Sequence, residues 1–158
     1  MNRMSIAGHP VHPMLVTLPI GLWVFSLVCD LVYISTGDAS WATTAYLTLG
    51  GGIVGALLAA VPGLIDLLTL RAGVERRTGV IHMTLNLAIV AVQGVNFWLR
   101  SQPDGGGNLA IAFSVVAVAG LVVSGWLGGH LVHVLGVTQP HREPGAAAAP
   151  HDRLHPRT

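Results

Sequence analysis

Lysine is absent from this chain of 158 residues, and cysteine occurs once, at Cys29. A single cysteine excludes an internal disulfide and any centre held by several thiolates, and it leaves the redox compartment unread. Charge of either sign is scarce: 9% of the residues are Asp, Glu, Lys or Arg, against roughly a quarter in an average soluble domain. So few charges cannot build a surface that faces water. The formal net charge of +1 offers no electrostatic footprint for nucleic acid or for an acidic partner.

Apolar residues take that place, at 52% of the chain, with a mean hydropathy of +0.65. A chain of this composition is solvated mostly by the lipid bilayer, and its length gives one compact domain. Four apolar runs, Met14 to Ser35, Ala42 to Leu70, Gly79 to Leu99 and Leu109 to Leu135, each reach the roughly 20 helical residues that cross a hydrocarbon core. Ser35 to Asp38, the charged stretch Arg71 to Thr78, and Gln102 to Gly107 interrupt them with turn and charge signals. Connections this short force neighbouring helices to run antiparallel. The expected fold is therefore all-α, an up-down-up-down four-helix transmembrane bundle over residues 1–138. The tail 139–158, rich in Pro, Ala, His and Arg, has no periodicity and reads as disordered.

Arginine sets the orientation. Arg3, Arg71, Arg76, Arg77, Arg142, Arg153 and Arg157 fall on one side of a four-span chain and Arg100 alone on the other. That asymmetry places both termini in the cytoplasm of a bacterial inner membrane. A cleaved signal peptide is not expected at the first span: its leader has one arginine, its apolar run is too long, and no small-x-small site ends it. Val28 before Cys29 argues against a lipoprotein site.

Polar groups inside a span are costly enough to need a reason. His82, Asn86, Gln93 and Asn96 lie with Ile89 on one face of the third span. Asn86, Gln93 and Asn96 read as hydrogen-bonding partners for neighbouring helices. In the second span Gly51, Gly55, Ala59 and Gly63 form a small-residue ridge that admits another backbone, and Asp66 continues its face toward Arg71 or Arg76. Pro62 removes an amide donor and frees the Leu58 carbonyl.

Before the first span, Gly8-His9-Pro10-Val11-His12-Pro13 predicts extended backbone at both histidines, with Pro13 opening the helix. Near the end of the fourth span, His130 and His133 share a face beside Gly125, Gly128 and Gly129. His133 reads equally as an imidazole at the headgroup level. Topology brings His9, His12, Asp66, His82, His130 and His133 to the cytoplasmic end, which singles it out as a site.

Several of these segments resemble a bacterial membrane family, the domain of unknown function numbered twenty-two thirty-one. The matching residues are Gly8-His9-Pro10 with His12-Pro13, Pro19-Ile20-Gly21-Leu22, Gly63-Leu64-Ile65-Asp66, His82 with Asn86, and Gly128-Gly129-His130-Leu131-Val132. They span Gly8 to Val137. The resemblance implies a four-helix membrane module that in some members is fused to a Rieske iron-sulfur domain, hence redox work and a Rieske-type partner. His133 stands where the family would have an aromatic residue.

Three functions compete. The first is a b-type haem protein that transfers electrons, its haem b between the third and fourth spans near the cytoplasmic face. His82 and His130 would be axial ligands there, His12 the substitute, with Asn86 orienting a ligand and Gly128 and Gly129 giving room. The remaining groups would then bind propionates or a quinone. The second is a site for a zinc, iron or copper ion built from His9, His12, Asp66, His82, His130 and His133. The third is a structural or assembly subunit. No residue stands out as a nucleophile or general base, so no reaction is named, and homo-oligomerisation stays open.

Overall fold

The computed structural model of the protein describes residues 5–6, 9–70 and 72–137. Four helices in it are long and apolar enough to cross a membrane. Two residues each of β1 (Ser5–Ile6) and β2 (His9–Pro10) pair antiparallel, Ser5 opposite Pro10. Then come the short α1 (Val11–Leu15) and the spans α2 (Thr17–Thr36), α3 (Ala39–Thr69), α4 (Val74–Arg100) and α5 (Gly107–His133). The tail from residue 138 onward lies outside the described residues. A helix satisfies its backbone within the segment, as lipid demands, except that Pro62, inside α3, has no N–H to give the preceding turn.

The ends follow local chemistry. Gly37, at φ 71°, closes α2 in the left-handed conformation and donates its N–H to the Tyr33 carbonyl. Asp38 caps α3 by accepting the Ser40 N–H at 2.9 Å, a bond that holds its carboxyl below the ordinary carboxylate pKa. Two boundaries differ from expectation. Arg76 and Arg77 lie within the first turns of α4, because the helix continues beyond its apolar run. His12 is helical, with extended backbone confined to His9–Pro10. Pro13 is tolerated there because the first-turn amides have no intrahelical acceptor to lose. The His12 carbonyl accepts the Val16 N–H at 3.1 Å, so α1 leads almost directly into α2.

The spans form a closed ring in which α2 and α4 each touch both α3 and α5, and the hairpins α2–α3 and α4–α5 are the tightest pairs. On α3 the buried stripe is Ala45, Leu49, Gly52, Gly55, Ala59, Pro62 and Gly63, so Gly52 takes the place expected for Gly51. A Cβ on Gly55 would meet Leu18 and Pro19, and one on Gly52 would land on the Trp23 indole, so the ridge faces α2. Trp23, Ile89 and Ala117 make the apolar core at mid-bundle. Large apolar side chains face outward, Val122 at 71% and Trp126 at 80% exposure, as a surface solvated by lipid requires.

At the end of the bundle near the α2–α3 turn, Arg100 forms a bidentate pair with Asp30, at 2.7 and 2.6 Å. Asn96 Oδ1 and Ser114 Oγ accept two further Arg100 N–H groups. Asn96 also donates to Gln93 Oε1 and to Ser114, so the polar stripe of α4 does hydrogen-bond a neighbouring helix.

Candidate functional site

At the opposite end of the bundle a cavity of about 370 Å³ opens between the two hairpins. Its walls are mostly aliphatic, and its polar groups are His12, Asp66, His82, Asn86 and Ser124. A shaped apolar space with a few convergent polar groups is the usual form of a small-molecule or cofactor site.

Each imidazole is anchored by its Nδ1. His12 Nδ1–H donates to the Ala59 carbonyl at 2.8 Å, one residue beyond the Leu58 carbonyl expected to be available beside Pro62. His82 Nδ1–H donates to the Ser124 carbonyl at 3.0 Å, with the Ser124 hydroxyl 3.2 Å from the same nitrogen. Glycine makes both seats. A Cβ on Gly63 would stand 2.8 Å from His12 Cε1, and one on Gly128 would stand 3.2 Å from His82 Cε1.

With Nδ1 carrying the donated proton, Nε2 of each neutral ring keeps its lone pair. Asn86 steadies His82: its amide donates to the His82 carbonyl at 2.8 Å and to Ser124 Oγ at 2.7 Å, with its nitrogen 3.2 Å from His82 Nε2. The His12 and His82 rings face each other perpendicularly, centroids 6.4 Å apart.

The structure therefore brings His12, Asp66, His82, Asn86, Gly128 and Gly129 to one cavity. It does not bring His130 there: that ring is partly exposed on α5, while Leu131 and Val132 line the cavity in its stead. His133 is exposed, and the side chain of His9 lies outside the described residues. Among the described residues no group of three or more His, Cys, Asp or Glu side chains stands close enough to hold a metal ion. Sequence reasoning passed over Ser124, whose carbonyl and hydroxyl both serve His82, and over Asp30. An aspartate inside a span was itself the signal for the latter.

The chain belongs to the family described as "Predicted membrane protein (DUF2231)", whose sequence profile matches residues 8–140. No curated protein and no solved structure matches it.

Proposed function

We propose that this membrane protein is a b-type haem protein with an electron-transfer role, holding its haem between the two hairpins with His12 and His82 as axial ligands. The observation that carries the reading is the pair of facing imidazoles whose Nδ1 groups are both committed to backbone carbonyls. That is how ligating histidines are oriented, with one nitrogen fixed by a carbonyl; His82 Nε2, which the Asn86 amide contacts at 3.2 Å, would exchange that contact for the metal. A quinone carbonyl would want an N–H from each ring, which this tautomer does not offer. A bare zinc, iron or copper ion needs three or four protein ligands, whereas a porphyrin supplies four nitrogens and asks for only two.

A bound haem would supply a one-electron couple, while the aliphatic walls would exclude water and Asn86 with Ser124 would fix the His82 ring. His130 becomes a bystander in this arrangement. A quinone or a Rieske-type protein would serve as redox partner.

The test is optical. Protein purified in mild detergent from cells supplied with haem is expected to show a Soret band that shifts on reduction. His12→Ala and His82→Ala should each abolish it, and His130→Ala should leave it in place. A band lost with His130 but kept without His12 would restore the pairing of the third and fourth spans. A featureless spectrum would leave the imidazoles as struts between helices.

Orientation is part of the same reading, with both termini cytoplasmic in a bacterial inner membrane. Arg76 and Arg77 open α4 at the cavity end, whereas Arg100 at the other end is neutralised by Asp30. A reporter that is active only in the periplasm is expected to be silent after Thr158 and active within the 105–107 turn. The reverse pattern would invert the protein.

A further inference from the structure

The two hairpins repeat each other. Along the first helix of each, His12 and His82, Trp23 and Gln93, Ser26 and Asn96, and Asp30 and Arg100 are all pairs 70 residues apart. Along the second, Ala45 and Ala110, Leu49 and Ser114, Ala59 and Ser124, and Gly63 and Gly128 are pairs 65 residues apart. The exposed, half-buried and buried positions of residues 14–28 recur at 84–98 with one exception, Ile20 against Val90.

Any two amphipathic helices can be aligned by burial alone, because both follow the helical period. Burial alone does not make one offset join chemical partners at both ends of the bundle. Here the 70-residue offset pairs the imidazoles that face each other across the cavity and also the charges that meet across the far end. The 65-residue offset pairs the carbonyls that hold the two Nδ1 groups, on Ala59 and Ser124. It likewise pairs the glycines that seat the two rings, and in each hairpin the glycine follows the carbonyl by one turn. The difference between the offsets is taken up at the turns, since α2 continues past Asp30 to Thr36 whereas α4 stops at Arg100.

We infer that the chain is an internal dimer of two helical hairpins related by a quasi-two-fold axis along the bundle, with the cavity on that axis built from two equivalent half-sites, His12–Ala59–Gly63 and His82–Ser124–Gly128. Rotation about the axis takes α2 onto α4 and α3 onto α5, as in parallel-repeat membrane proteins. The ligand of such a site takes one equivalent imidazole from each hairpin. Its identity rests on the haem reading, but the repeat does not.

Three of the differences between the hairpins bear on the half-sites and on which hairpins pair. Asn86 stands where the first hairpin has Val16, Ser124 where it has Ala59, and Arg100 where it has Asp30. The last is the most consequential. Two copies of the first hairpin would set carboxylate against carboxylate on the axis, and two of the second guanidinium against guanidinium, so only unlike hairpins pair.

Equivalence predicts that the polar support of His82 can be rebuilt around His12. In the full-length protein, Val16→Asn puts an amide one turn after His12, as Asn86 follows His82, and Ala59→Ser supplies the hydroxyl it would bond. Thermal unfolding in detergent reads the double-mutant cycle. Val16→Asn alone should lower Tm, on the order of 5 °C, by burying an amide that lacks one acceptor. Adding Ala59→Ser should recover at least half of that loss. If Val16→Asn alone yields no folded protein, recovery of folded protein in the double variant is the same coupling. Simple additivity, or a double variant no better than Val16→Asn, would overturn the repeat. Because unfolding is measured without reference to haem, a missing Soret band would remove the haem reading and leave this result standing.

Discussion

Replacing Arg100 by Leu is expected to destabilise the bundle by about 3–5 kcal/mol, and replacing Asp30 by Leu in the same chain to return most of that loss. The side chains of the pair are 8% and 4% exposed, so neither charge has water to fall back on. Taking charges out of water costs several kcal/mol each, and their mutual attraction repays it only when the geometry is good and the remaining polar atoms are bonded. Here both conditions hold: the contact is bidentate, and Asn96 and Ser114 occupy further guanidinium N–H groups. Removing the guanidinium strands a buried carboxylate without its counter-charge, whereas removing both partners exchanges the pair for aliphatic packing. Thermal unfolding of Arg100→Leu, Asp30→Leu and the double variant measures this. A double variant as unstable as either single one would mean that something other than the pair is lost.

That pair also shows where sequence reasoning stopped. The four spans, their antiparallel order and the lipid-facing surface were legible, because the length and apolarity of each run leave a membrane chain few alternatives. The placement of His12, Asp66, His82, His130 and His133 at one end was legible too, since alternating topology fixes which helix ends share a side, although of these the cavity takes in His12, Asp66 and His82. Helix rotation was less legible. His130 follows Gly128 and Gly129 by two and one positions, and a step of about 100° per residue carries it off the face that those glycines present to the cavity. Whether His82 meets His130 or His12 depends on that rotation and on which helices lie diagonally in the ring. The approach of Arg100 to Asp30 is likewise a contact between non-neighbouring spans. Neither spacing nor periodicity within one helix encodes it.

The repeat was hidden for a related reason. Identical residues such as His12 and His82, Ala45 and Ala110, Gly55 and Gly120, and Gly63 and Gly128 lie mainly where the helices face one another. The lipid-facing positions between them accept any aliphatic side chain and dilute the match. Pairs such as Leu49 and Ser114 agree in position and burial while differing in chemistry. The structure exposes the repeat because it supplies depth and direction, which a linear comparison of residues does not contain.

Gly52→Ala is the smallest change expected to have a large effect, a destabilisation of about 2–4 kcal/mol. In a helix of neutral surroundings the substitution would help, by up to about 1 kcal/mol, because alanine loses less backbone freedom than glycine. Gly21 has such surroundings, with nothing within 4 Å of a Cβ built on it, and Gly21→Ala should be neutral or stabilising. At Gly52 the added Cβ lands on the Trp23 indole. The ring cannot yield cheaply: it is 2% exposed, packs in the core with Ile89 and Ala117, and donates its Nε1–H to the Leu49 carbonyl at 3.1 Å. If the indole turns away, a buried N–H loses its acceptor and a void opens in the core. If it stays, α2 and α3 must separate along the ridge where Gly55 meets Pro19 and Gly63 seats His12. The second outcome would carry the damage into the cavity, so the haem binding proposed for it should weaken together with stability. Tm values for Gly52→Ala and Gly21→Ala, measured side by side, decide the matter. A Gly52→Ala protein as stable as the parent would mean that the close packing of α2 on α3 is not maintained in the membrane.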